Sequence, residues 1–230
     1  MLKDFKLLIA IMGCHRREDR TDIQRATWMR GGPFDPRVTV RIFRGHDPGG
    51  ISATNHGNEI WLNCPDTYEG MCEKARMVYA HAYLNRYDFT LTTGDDTWVH
   101  VPRLVSYCES IWQEGKPLYD YVGHLRGCDG QYDDDYASGG PGTLLSEKAL
   151  SILTSAPATD DPAEDRWASN TLRAAGILLH SDRRHFCLPA EWRDRHPWEP
   201  VTVETMRVHR GEVASMAEIH EECYEAVATG

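Results

Sequence analysis

Asp88-Phe89-Thr90-Leu91-Thr92-Thr93-Gly94-Asp95-Asp96-Thr97-Trp98-Val99 is the stretch on which the fold turns. Residues 88–93 are rich in β-branched and aromatic side chains and read as a strand, which delivers Gly94, Asp95 and Asp96 at its carboxyl end. The run Leu7 to Met12 is apolar throughout and ends in Gly13-Cys14, so it reads as a central, buried strand opening into a loop. Ligands of open α/β sheets bind outside the carboxyl ends of the strands, so at least one of the two aspartates is expected to face a ligand crevice. Paired anionic oxygens there suit a hard divalent cation, Mg2+ or Mn2+, shared with the phosphates of a substrate. Taken alone, Asp-Asp after a strand fits a solvated turn or a helix cap equally well.

Working outward, periodicity predicts a short helix over 19–29, a strand over 38–43 and a Gly/Asp/Asn-rich loop over 45–57. A helix over 71–84 leads into the aspartate-bearing strand. Another begins at Pro102 and runs to about Gln113, and a strand follows over 118–123. The second half carries a turn at Gly139-Gly140-Pro141-Gly142, helices over 147–153 and 163–174, a helix stop at Gly176 and a strand over 177–179. A strand over 201–208 and a helix over 213–227 complete the chain. This alternation is that of an α/β protein, read as one domain over residues 1–230.

Composition narrows the classes. With 41% hydrophobic and 26% charged residues the chain is globular, and it has no 18-residue apolar run able to cross a bilayer. The apolar stretch near the start is six residues long, shorter than a secretory h-region. A net charge of −10 opposes a broad grip on a phosphate backbone. The basic cluster Arg183, Arg184, Arg193 and Arg195 reads as a solvated face. Cys14, Cys64, Cys72, Cys108, Cys128, Cys187 and Cys223 are odd in number, scattered and free of any C-x-x-C pair. Neither a disulfide framework nor a zinc site is indicated, and a reducing cytoplasm is expected.

Five segments, in order, resemble the β-1,3-glycosyltransferases of family 31. Arg20-Thr21-Asp22-Ile23-Gln24-Arg25-Ala26-Thr27-Trp28 is similar to the family's R-x-x-x-I-R-x-T-W element. Asp66-Thr67-Tyr68-Glu69-Gly70-Met71-Cys72-Glu73-Lys74 resembles D-x-Y-x-N-L-x-x-K, with Gly70-Met71 in place of Asn-Leu. Gly94-Asp95-Asp96-Thr97-Trp98-Val99 resembles the D-D-D-x-[FY]-V metal motif, with Gly94 at its first aspartate. Tyr136 to Ser146 resembles Y-x-S-G-G-x-G-x-[VL]-[LI]-S. Glu164-Asp165, followed by a helix ending at Gly176-Ile177, resembles E-D-V-x-x-G…L-G-[VI].

The resemblance implies a single GT-A-type domain with a Rossmann-like mixed central sheet flanked by helices. It implies a hexosyl- or pentosyltransferase that inverts the anomeric centre while moving a sugar from a nucleoside-diphosphate sugar, a UDP-sugar by preference, to a hydroxyl. In that reading Asp96 binds Mg2+ or Mn2+, and His209, before Met216, is the further metal ligand, with His185 as runner-up. Asp165 is the general base. Cys14, Arg20, Arg25, Lys74, Asp95, Gly139 and Gly140 line the donor side. The acceptor is a glycan or lipid-linked precursor, a protein side chain or, against the acidic charge, a hydroxymethylated base of viral DNA, in a bacterial or viral protein of the cytoplasm. Two other classes are open at this stage. One is a nucleotide-sugar or glycan-binding module of the same fold without turnover, raised by Gly94. The other is a metal-dependent phosphoester hydrolase, which leaves the glycine string without a role.

Overall fold

The apolar run of the first strand is explained by burial on both faces: Leu7, Ile9 and Ile11 enter one core, and Leu8 and Ala10 enter another. The computed structural model describes residues 3–31, 35–46, 57–126, 135–157, 159, 161–183, 185–187, 200–204, 206–207, 212–213, 216–217 and 219–221. In chain order the elements are β1 (Leu7–Met12), α1 (Glu18–Ala26), β2 (Val38–His46), β3 (Glu59–Pro65), α2 (Met71–Leu84), β4 (Phe89–Gly94), β5 (Thr97–Val99) and α3 (Val101–Ile111). Then come β6 (Trp112–Gln113), β7 (Lys116–Pro117), β8 (Tyr121–Gly123), β9 (Leu125–Arg126), β10 (Tyr136–Ala137), β11 (Thr143–Ser146), α4 (Glu147–Ser155) and α5 (Glu164–Ala174). Five short strands follow: β12 (His180–Ser181), β13 (Phe186–Cys187), β14 (Thr202–Glu204), β15 (Met206–Arg207) and β16 (Glu212–Val213).

The main sheet has the order β12-β8-β11-β4-β1-β2-β3. β4, β1, β2 and β3 run parallel, and β11 is antiparallel to both β4 and β8. The architecture is therefore a mixed central sheet flanked by helices, as the sequence predicts. On one face Ala75, Val78 and Ala82 of α2, Leu150 and Leu153 of α4, and Leu172 of α5 close the core over Leu8, Phe43 and Leu145. On the other, Leu104 and Cys108 of α3 join Trp28, Trp98, Val203, Met216 and Ile219 over Ile9, Ile42 and Leu91. A second sheet of order β13-β14-β5 leans on that core. Helix starts follow the local chemistry: Ser146 caps α4 by accepting from the Ala149 N–H, and His100 caps α3 by accepting from the Arg103 N–H.

One strand is added and three expectations change. Residues 59–65 carry no element in the sequence reading: among the described residues β3 pairs only with β2, at the sheet edge, and its Glu59, Asn63 and Pro65 hide the strand pattern. The strand expected over 177–179 begins instead at His180. Gly176 takes a left-handed turn at φ +79° and Ile177 donates back to the Leu172 carbonyl, so Ile177 seals the end of α5 while Leu178 is exposed. The strand expected over 201–208 is divided into β14 and β15, and Val213, expected to open a helix, lies in β16 paired with Met206. Residues 216, 217 and 219–221 are helical.

Gly142 fixes the entry into β11 at φ +88°, and a Cβ there would sit 2.7 Å from the Thr92 carbonyl. Gly142→Ala is expected to destabilise the fold by about 1–3 kcal/mol, read as a lower urea midpoint with an unchanged m-value.

Candidate functional site

β1 and β4 end side by side because Met12 pairs with Gly94. Two residues past the end of β1, the Cys14 N–H donates to Asp95 Oδ2 at 3.2 Å. From the first turn of α1, Arg20 Nη1 donates to Asp95 Oδ1 and to Asp96 Oδ2, at 3.1 Å in each case. The three side chains are largely enclosed, Arg20 at 18% exposure, Asp95 at 8% and Asp96 at 20%. Burial pushes the Asp95 carboxyl up, against the opposing pull of Arg20. Burial works against the Arg20 guanidinium, yet Asp95 and Asp96 outweigh it and raise its pKa.

Gln24, one turn further along α1, is fully buried and donates Nε2 to the carbonyls of Gly94 at 3.2 Å and Thr97 at 2.9 Å. It clamps the turn that carries both aspartates. Gly94 has a steric reason in this chain: a Cβ there would lie 2.7 Å from Asp96 Oδ1. Glycine thus makes the room in which the Asp96 carboxylate folds back over the strand end.

The glycine turn reaches the same edge because β11 runs antiparallel to β4 with Thr143 opposite Thr92. Thr97 Oγ1 donates to the Gly140 carbonyl at 2.7 Å, and the Gly139 N–H donates to Asp165 Oδ2 at 3.2 Å. Asp96, Thr97, Gly140, Gly139 and Asp165 are therefore joined by two hydrogen bonds and two peptide links. A Cβ on Gly139 would lie 2.7 Å from Glu164 Oε1 and 3.5 Å from the Asp165 Cβ, so two acidic side chains close on this glycine. Burial, then the charge of Asp165, raises the Glu164 carboxyl; burial also raises Asp165, which the N–H groups of Gly139 and Arg166 oppose. Backbone N–H groups oppose the rise at both carboxyls, and the deeper burial of Glu164 leaves it as the better holder of a shared proton.

Beneath this edge lies a buried knot. Asp66, just past β3, accepts from the His15 N–H at 2.7 Å, from His15 Nδ1 at 2.6 Å, from the Gly45 N–H at 3.1 Å and from the ammonium of Lys74. Burial would raise the Asp66 carboxyl, but Lys74 and His15 override it and hold it down at about 2. Cys14, His15 and Asp66 offer ligand atoms within 4.8 Å of one another. Asp66 is already surrounded by these four donors, which account for the cluster without a metal.

The remaining predicted residues fall as follows. Lys74 is 2% exposed and its ammonium also donates to the Gly13 carbonyl at 2.9 Å, so its charge is spent inside the fold rather than beside a diphosphate oxygen. Arg25 is drawn to Asp22 and to Glu59 of β3. His185 lies at the far end of β5 from Asp96: Phe186 pairs with Thr202, which pairs with Val99, roughly 10 Å across two strand spacings. There its Nδ1 pairs with Asp182 at 2.9 Å. That position separates His185 from the aspartates it was expected to join. His209 lies outside the described residues, as do Arg184, Arg193 and Arg195 of the basic cluster and Cys128 and Cys223. Gln24 and Glu164 were not singled out in the sequence as site residues. Gln24 follows Arg20 by one helical turn, the spacing that sets both on one face of α1.

Solved structures give the fold its relatives. The chain superposes on a glycosyltransferase involved in the glycosylation of the major capsid of PBCV-1 with a TM-score of 0.52 and 12% identity, over 96% of this chain and 99% of that one. The galactosyltransferase LgtC, solved with donor and acceptor sugar analogs, matches with a TM-score of 0.51 and 14% identity, over 95% of both chains. Glycosyltransferase GlyE of Streptococcus pneumoniae TIGR4 matches at TM-score 0.49 and 11% identity over 97% of this chain, which spans 64% of that one. The chain matches no protein-family model, and no curated protein sequence matches it. The fold is that of GT-A-type glycosyltransferases.

The acid pair has a consequence for stability. Above the ordinary glutamate pKa the unfolded chain is ionised while the folded pair retains a proton, so its contribution falls as pH rises through that window. Glu164→Gln is expected to gain stability on the parent between pH 5 and pH 8, by on the order of 1 kcal/mol at pH 8. Because burial also lowers the His81 and His100 imidazoles, the quantity to measure is the difference between the two urea unfolding curves at each pH. A constant difference would remove the acid pair as its source.

Proposed function

We propose that this chain transfers a sugar from a nucleoside-diphosphate sugar to a hydroxyl acceptor, with inversion at the anomeric carbon and a divalent cation at Asp95 and Asp96. The observation that carries the reading is the hydrogen-bonded line from Asp96 through Thr97, Gly140 and Gly139 to Asp165, which ties a diphosphate-side carboxylate to a proton-accepting one across a glycine turn. The fold shared with the galactosyltransferase LgtC, which was solved with donor and acceptor sugar analogs, supports the sugar-transfer part of this reading.

The fit of a cation rests on Arg20. Its Nη1 is a positive atom on which one oxygen of each aspartate converges at 3.1 Å, a stand-in for an ion at that point. Hard carboxylate oxygens suit Mg2+ or Mn2+, with His209 as a further ligand. A bound cation would neutralise charge developing on the departing diphosphate.

Asp165 accepts the proton of the acceptor hydroxyl as its oxygen bonds to the anomeric carbon, while the bond from that carbon to the diphosphate oxygen breaks with its electron pair. The Gly139 N–H holds Asp165 Oδ2 in place, and Glu164 takes the proton that would otherwise neutralise Asp165. The absence of a side chain at Gly139 lets Glu164 and Asp165 close on the glycine turn. The donor is a UDP-sugar in this reading, and the acidic charge favours a glycan or protein acceptor over DNA.

Release of nucleoside diphosphate from a panel of nucleotide sugars, with Mn2+, Mg2+ or chelator, tests the proposal. Turnover of one donor is expected with metal, and a loss of at least about 100-fold in both Asp96→Ala and Asp165→Ala. If no nucleotide sugar binds under any metal condition, the transferase reading fails.

A further inference from the structure

Two carboxylates enclosed side by side repel unless a positive charge lies between them, and burial of each adds a desolvation cost. Arg20 Nη1, 3.1 Å from an oxygen of each, places such a charge between Asp95 and Asp96. Arg20 is anchored where α1 follows β1, so the chain brings its own cation to the place where a divalent cation would bind. The same guanidinium has a donor in reserve: its Nε is buried and has no hydrogen-bond partner.

We propose that Arg20 is an exchangeable counter-ion of the aspartate pair, which gives up the carboxylates when a divalent cation binds and turns its guanidinium to the donor's diphosphate. The inference rests on the transferase reading above. Its consequence is coupling. Without nucleotide, Arg20 competes with the metal and weakens its binding. With nucleotide present the released guanidinium gains a bidentate phosphate partner, so metal and nucleotide bind each other's complex more tightly than the free chain. Arg20 also keeps the metal-free site folded by neutralising both carboxylates.

The test is Mn2+ binding to the full chain, followed by the EPR signal of the free ion, for the parent and Arg20→Met, each with and without UDP. Without UDP, Arg20→Met is expected to bind Mn2+ roughly five- to tenfold more tightly. UDP should tighten Mn2+ binding in the parent and do so far less in the variant. Equal or weaker Mn2+ binding by Arg20→Met without UDP overturns the exchange and leaves the transferase reading standing. Absence of Mn2+ binding in either protein, with or without UDP, overturns both the metal assignment and the exchange.

Two further measurements cover a variant that folds poorly. Mn2+ should raise the Tm of Arg20→Met more than that of the parent; an equal rise contradicts the proposal. In the parent itself, the 15Nε–H signal of Arg20, assigned by its loss in Arg20→Lys, should shift as Mg2+ is added. A signal that stays in place while Mg2+ binds also overturns it.

Discussion

The carboxylate of Asp66 is the constraint on which the upper edge of the sheet depends. It is enclosed, and it collects the His15 N–H after β1, the Gly45 N–H within β2 and the ammonium of Lys74 on α2. Four segments, from the loop after β1 to α2, are thus fixed against one another at a single charge. A buried ion pair contributes little net stability when its partners are both present, but removing either one leaves an uncompensated charge. Here the pair sets geometry: it holds the loop after β1, and that loop carries the Cys14 N–H that reaches Asp95.

Above that knot the edge carries two acidic pairs with opposite solutions to the same electrostatic problem. Asp95 and Asp96 share the guanidinium of Arg20, which opposes the upward push of burial on Asp95. Glu164 and Asp165 have no comparable cation bonded to them among the described residues, and burial raises both. One pair is thereby suited to holding positive charge and the other to accepting a proton. The hydrogen bonds through Thr97, Gly140 and Gly139 bind the two pairs into one rigid edge.

Steric detail links these pairs to the glycines. Gly94 makes space for the Asp96 carboxylate and Gly139 for Glu164, each with only 2.7 Å available to a side chain. Gly94, which departs from the aspartate of the resembled motif, is thus explained by packing in this chain. Gly139 and Gly142 act differently, the first by close approach to acidic side chains and the second by its left-handed φ.

The sequence by itself determined the α/β class, β1, β4, the helices α1 to α5 and the segments that bear the site, because these follow from local periodicity and turn chemistry. Leu7–Met12 reads best as a strand buried on both faces, and Asp95 and Asp96 follow the strand that ends at Gly94. What only the tertiary structure decided was pairing across the chain. Lys74 and Arg25 read as donor-side cations until Asp66 is brought to the first and Glu59 of an edge strand to the second. Gln24 carries no local mark of its role, which comes from two carbonyls about 70 residues away. His185 has a motif's plausibility, yet strand register carries it to the other end of β5. Such outcomes depend on burial and on which charge lies nearest in space, and neither quantity is written in any local stretch of residues.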